Sequence, residues 1–450
     1  MTAPFDIIIK DGHVLASHPQ NPFQIIEEIT DIGISNGYIT KIGSLYKAEA
    51  KYTFKAKNLY VLPGLIDTQV HFREPGMEHK EDIASGSRAA LLGGITAFFE
   101  MPNTRPPTIT ESDLKDKLQR AEGRSWCDFS FFMGASPQNI QTLYQSANHK
   151  NSCGVKIFMG SSTGSLLLHE TEHLDHALKT LNRKIAVHSE DEERLKERKK
   201  IVKENPGDVH LHAVWRDTEC ALLSTKKIVE IAKKYNKKVH ILHVTTKEEI
   251  NFLAENKNFS TVEVTPQHLT LKAPECYDEL GTLAQMNPPI REEKHQQALW
   301  RGINSGVVTM LGSDHAPHTL EEKQKTYPYS PAGMPGTQTM VPIMLNHVNN
   351  KKLSLKRLVE LLAINPHRYY GIKKQGLLCE GFKANITLID LKHKRKITKD
   401  WLASKCQWSP FENKEITGWP FGVILNGIWA MRENETIGNP NGKAISFKIS

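Results

Sequence analysis

The chain has 450 residues, 39% hydrophobic and 24% charged, ordinary values for a soluble globular protein with room for a barrel and an added module. Its formal net charge of +8 is diffuse: the densest basic run, Leu195 to Lys200, adjoins the acidic Glu190 to Glu193, which describes a solvated helix face and argues against a nucleic-acid patch. No apolar run approaches the ~20 residues of a membrane span; the N-terminus lacks a secretory pattern; and six cysteines without a CxxC spacing fit reduced cytosolic thiols, so a cytoplasmic protein is expected.

In chain order, residues 1–58 read as short strands, FDIIIKDGHVL and then ITDIGISNGYITKIG, with Asn36-Gly37 as a hairpin signal. From Leu59 the pattern changes. Apolar runs alternate with helix-like stretches at intervals of roughly 30 residues, the spacing of a βα unit. The strand candidates are Leu65–His71, Ile95–Met101, Phe129–Gly134, Gly154–Met159, Ile185–His188, Val239–Val244, Thr261–Thr265 and Val307–Gly312. Eight such units predict an α/β fold, a TIM-like (β/α)8 barrel over 59–371. Residues 372–450 return to strand and turn in ANITLIDL and GVILNGIWAM.

Chemistry in such a barrel belongs where strands end. In GLIDTQVHFREPG, alternation puts Gln69, His71 and Arg73 on one face, either as a structural polar cluster or as a metal ligand beside an anion clamp. Lys156 lies inside the apolar run GVKIFM, where lysine is rarely buried. It either snorkels or pairs, or its amine is neutral and able to react with carbon dioxide to give a metal-bridging carbamate. His188, His243 and Asp314 close three further runs. One histidine of this kind is more often structural; four or five metal-competent groups converging from different strands point to a metal site. His210 and His212 form a second HxH but follow Pro206-Gly207 and read as loop residues. His240, three before His243, is sent by alternation to the opposite face.

The motifs VHFREPG, MPNT, GVKIF, VHSE, LHVTT, NPPIR, SDHAPH and AGMPG stand in an order that resembles the dihydroorotases of the amidohydrolase superfamily. The resemblance implies a metal-dependent barrel with a small β-sandwich built from residues 1–58 and 372–450. It implies one or two zinc ions held by His71, His188, His243, Asp314 and an N6-carboxylated Lys156. His188, His243 and Lys156 resemble one metal's ligands, and His71, Lys156 and Asp314 the other's. Arg73, Asn103 and His318 resemble the residues that hold the substrate carboxylate. Asn287 and the Ala332–Gly336 loop, with Gly333 and Pro335, resemble those that read the ring's amide edges. Asp314 would be the acid and base. Gln69 departs from the family's usual HxH, and an amide is a poorer zinc ligand than imidazole, so one tight ion or two of unequal affinity are both open. Gln267 is a second departure, beside a retained His268. The activity implied is the interconversion of N-carbamoyl-L-aspartate and L-dihydroorotate in pyrimidine biosynthesis. An allantoinase- or dihydropyrimidinase-like enzyme, or an inactive scaffold for aspartate transcarbamoylase, are the alternatives. A small-molecule substrate, a homodimer and association with that transcarbamoylase are expected; nucleic acid and membrane are not.

Overall fold

The computed structural model describes residues 4–162 and 166–448. Its centre is eight parallel strands: β1 (Leu65–Val70), β2 (Ile95–Glu100), β3 (Asp128–Gly134), β4 (Ser152–Phe158), β5 (Ile185–His188), β6 (Val239–Ile241), β7 (Ser260–Val264) and β8 (Met310–Leu311). Each pairs with the next in sequence. A bridge between Val70 and His315 brings the two ends together, and the His71 N–H donates to the His315 carbonyl at 2.8 Å. All strand residues are buried. This is why runs such as ITAFFE and DFSFFMG carry apolar side chains on both faces.

One face packs inward. Ile66, Phe99, Phe132, Ala186, Leu242 and Met310, from six different strands or strand ends, form a single interior cluster with Tyr369 and Tyr370. The other face packs outward against helices, through residues such as Ile83, Ile228 and Leu299. Capping sets where those helices start. The Thr246 side chain accepts from the Glu249 N–H and the Glu249 carboxylate from that of Thr246, so the helix Lys247–Glu255 begins four residues after His243. Such a cap contributes about 1 kcal/mol.

Two strands are shorter than their apolar runs predict. β6 stops at Ile241 and β8 spans only Met310–Leu311. For β6 the reason is local backbone geometry: His243 is left-handed, with φ of 36°; beyond β8, Asp314 is left-handed too, with φ of 44°. The turn at His243 corrects the expectation for His240. It does not face away from the barrel interior; its ring meets Tyr370, and its Nε2 lies 3.4 Å from Glu263, which accepts from Thr68 across the barrel. Alternation fails because the chain changes hand at His243.

The strand-rich ends come together in one nine-stranded sheet. Tyr60–Pro63 joins the two ends, pairing parallel to Phe5–His18 and antiparallel to Ile386–Lys396. No helix among the described residues is long and apolar enough to cross a membrane.

Candidate metal centre

The rim at the C-terminal ends of the strands holds a pocket lined by Gln69, His71, Lys156, Phe158, Ser162, His188, His243, Asn287, Asp314, Ala316, Ala332 and Gly333. The open space between these atoms is about 20 Å³, room for one water-sized species. Three residues at this rim are left-handed without being glycine: Arg73 (φ 66°), His243 and Asp314. Each such backbone costs of order 1–3 kcal/mol and persists where surrounding structure imposes it, most often at functional sites.

The ligand-competent groups stand as two pairs. His188 Nδ1 lies 3.0 Å from His243 Nε2, and His71 Nε2 lies 3.2 Å from Asp314 Oδ1. Burial lowers the pKa of all three histidines, leaving them neutral. Their outer nitrogens fix the tautomers. His188 Nε2 donates to Glu190 at 2.8 Å, so its Nδ1 turns a lone pair inward; His71 Nδ1 donates to the Asn103 side-chain oxygen at 2.7 Å, so its Nε2 does the same. The His71 lone pair therefore faces a carboxylate oxygen. His243 Nδ1 and Gln69 Oε1 are buried with no partner among the described residues. Burial also pushes the Lys156 amine down to about 7. Neutral imidazoles, a carboxylate and two orphaned acceptor atoms on side chains that line one pocket fit a cation there.

No three histidine, cysteine or carboxylate groups among the described residues could hold a metal ion by themselves. The two pairs stand apart as twos, and the further side chain on the same pocket wall, Lys156, is neither acid nor imidazole.

The remaining expected residues lie close behind. Arg73 Nη2 is 3.2 Å from His318 Nε2, and its Nε donates to the Pro317 carbonyl. Burial pulls the Arg73 guanidinium down to about 10 and holds His318 at about 3. Arg73, Asn103 and His318 are buried but are not on the pocket wall. Pro335 and Gly336 sit on the loop pinned by the bridge between His315 and Met334, where the Gly336 N–H donates to His315 Nδ1. A Cβ at Gly333 (φ 144°) would come within 2.5 Å of the Ala316 carbonyl, so only glycine lets that loop approach. Gln69 Nε2 donates to Asp314 Oδ1 at 2.9 Å. Gln267 Nε2 donates to the Ser313 carbonyl, and His268 is held by Thr265 and the Pro288 carbonyl.

His212 corrects the sequence reading. It is buried in a short helix, Leu211–Trp215, and its Nε2 lies 3.0 Å from the Asn287 side-chain oxygen. His210 is surface-exposed and pairs with Asp278. Sequence reasoning also missed Glu190, two residues past His188 in VHSE, whose Oε2 accepts from His188 at 2.8 Å and also meets Arg216 at 3.3 Å, while its Oε1 is buried without a partner among the described residues. Burial pushes the Glu190 pKa up, but Arg216 and His188 hold it below the usual carboxylate value. Its signal was a carboxylate one strand step beyond a candidate ligand.

The sequence has measurable relatives. Dihydroorotases are 34% identical in Pyrococcus furiosus, over 93% of this chain and 92% of that protein, and 34% identical in Methanosarcina mazei, over 98% of both. The dihydroorotase of Pyrococcus abyssi is 35% identical over 92% of this chain and 94% of its own. The fold superposes on the L-hydantoinase (dihydropyrimidinase) of Arthrobacter aurescens with a TM-score of 0.92 at 25% identity, covering 98% of this chain and all of that one. The dihydropyrimidinase of Brevibacillus agri gives 0.88 at 23% identity over 96% of each chain, a likeness of fold. The model of the amidohydrolase family matches residues 60–429. That kinship implies a metal cofactor, and the chain belongs to the amidohydrolase family.

Proposed function

We propose that this chain is a zinc-dependent dihydroorotase, interconverting N-carbamoyl-L-aspartate and L-dihydroorotate. The observation that carries the reading is the two side-chain pairs, His188–His243 and His71–Asp314, lining one pocket together with Lys156, with the Arg73 guanidinium buried nearby. Whole-length similarity to proteins named dihydroorotase supports it.

His188 and His243 would hold one zinc and His71 and Asp314 the other, with Lys156, as its carboxylated form, completing both sets. The lowered amine pKa supports that modification, since only the neutral amine adds carbon dioxide. When bound, zinc acidifies water to a pKa of about 7 and polarises the amide carbonyl. Asp314 moves the proton. In ring opening it takes one from the attacking water and gives it to the departing ring nitrogen; in closure it takes the ureido proton, as reversibility requires. Gln69 and His71 both meet Oδ1 of Asp314, which leaves Oδ2 for the proton. Arg73 and His318 would hold the substrate carboxylate, and Asn103 would do so while also orienting His71. Asn287, positioned by His212, and the Ala332–Gly336 loop would read the amide edges.

Metal-loaded protein assayed side by side with L-dihydroorotate, dihydrouracil, hydantoin and allantoin tests the assignment. Turnover of L-dihydroorotate alone is expected. Preference for a neutral ring would replace it with the dihydropyrimidinase reading, with which the hydantoinase-like fold is also consistent; no turnover with full metal occupancy would leave the scaffold. A cytoplasmic homodimer, and association with aspartate transcarbamoylase, belong to the same proposal. Light scattering with and without that enzyme tests the last two. Carbon-13 NMR after exposure to labelled bicarbonate tests the carboxylation of Lys156.

A further inference from the structure

The pole of the barrel opposite the candidate metal centre carries a second cavity, of about 120 Å³. It opens where β4 and β5 begin and where the chain leaves the helix Asn365–Tyr370. Arg183, Lys184, Arg368 and Lys448 contribute to its wall, and no carboxylate does among the described residues. None of these four cations has an ion pair among the described residues, whereas Lys233 and Lys234, at the end of the helix Thr218–Lys234, pair with Glu230 and Asp175 at 2.7 and 2.6 Å. A solvated charged surface mixes signs; this cavity does not.

Two donors are left over. Arg183 is 8% exposed; its Nη2 donates to the Ser152 carbonyl, but its Nε has no partner among the described residues, and neither has the buried hydroxyl of Tyr370, which lines the same wall. Burying a donor without an acceptor is unfavourable. Crowding of like charge adds to this, because burial, then Lys238 and Arg183, hold the Lys184 amine below the usual lysine value.

We propose that this cavity binds the phosphoryl group of a small phosphorylated metabolite. The unpartnered Arg183 Nε donates to one oxygen of a tetrahedral anion, and the Tyr370 hydroxyl, the Arg368 guanidinium and the lysines take the others. Arg368 and Lys448 are exposed at the mouth, where the esterified part of the ligand would leave. A concave pocket of this size selects a compact anion; a nucleic-acid backbone would call for an extended basic stripe.

Isothermal titration of the metal-loaded full chain with inorganic phosphate, and separately with acetate, tests the site. Saturable phosphate binding is expected, stronger than that of acetate. The double variant Arg368→Gln with Lys448→Gln, at two exposed positions that do not threaten the fold, should weaken phosphate by roughly tenfold or more. His243→Ala, at the other pole, should leave phosphate binding intact. The proposal is overturned if phosphate fails to saturate, if acetate binds equally well, if the double variant binds as the parent does, or if His243→Ala removes the binding.

Discussion

The two side-chain pairs that share a pocket with Lys156, His188–His243 and His71–Asp314, are built from different chemistry. On one side two neutral imidazoles face each other, backed by the buried Glu190–Arg216 ion pair. On the other, one imidazole meets the Asp314 carboxylate, a glutamine amide donates to the same oxygen, and the support is the neutral Asn103. The first half has the stronger nitrogen donors and a fixed anion behind them. The second has the group that can carry a proton. Under the proposed function, the difference divides the labour: one half grips a metal, and the other holds a metal more weakly while its carboxylate works.

Asp314→Ala should break the comparison most severely. With the carboxylate gone, turnover should fall by about 10²–10⁴ in both directions, while metal at the His188–His243 side is retained. Activity within tenfold of the parent, followed from either end of the reaction, would remove Asp314 from the chemistry. Glu190→Gln attacks the other half from behind. It leaves Arg216 buried without its anion, at a cost of about 3–5 kcal/mol, and should weaken metal binding by about 10–100-fold. Chemical denaturation and metal content after dialysis read the two effects separately; a change in neither would make Glu190 a bystander.

Arg73→Met tests whether the second half also faces a charged substrate. Losing a charge-assisted contact, about 1.5–3 kcal/mol, should raise KM for L-dihydroorotate steeply with zinc content unchanged; an unchanged KM would sink the substrate assignment. The smallest effect sharpens the comparison. Gln69→His supplies the missing imidazole, so equilibrium dialysis with zinc should show the weaker site tightening toward the stronger one. Two equal sites in the parent protein would instead mean that the Gln69 amide costs the second half nothing.

Part of this was legible in the chain itself. Eight apolar runs are what a barrel buried on both faces demands, and the polar groups within or just after them include Gln69, His71, Lys156, His188, His243 and Asp314, all of which line one pocket. What periodicity could not carry was the break in periodicity. Alternation assumes extended backbone, and the left-handed turn at His243 sends His240 into the barrel interior. His212 was misplaced for a different reason: its partner Asn287 lies 75 residues away, and no local pattern reveals that pairing.

The sequence alone determined which side chains sit at strand ends, because burial on both faces of a parallel strand dictates local composition. Only the tertiary structure decided which of those side chains face each other, which tautomer each imidazole adopts, and where four cations gather without an acid. Those outcomes depend on distances between segments remote in the chain, and on the polar groups that burial leaves without water.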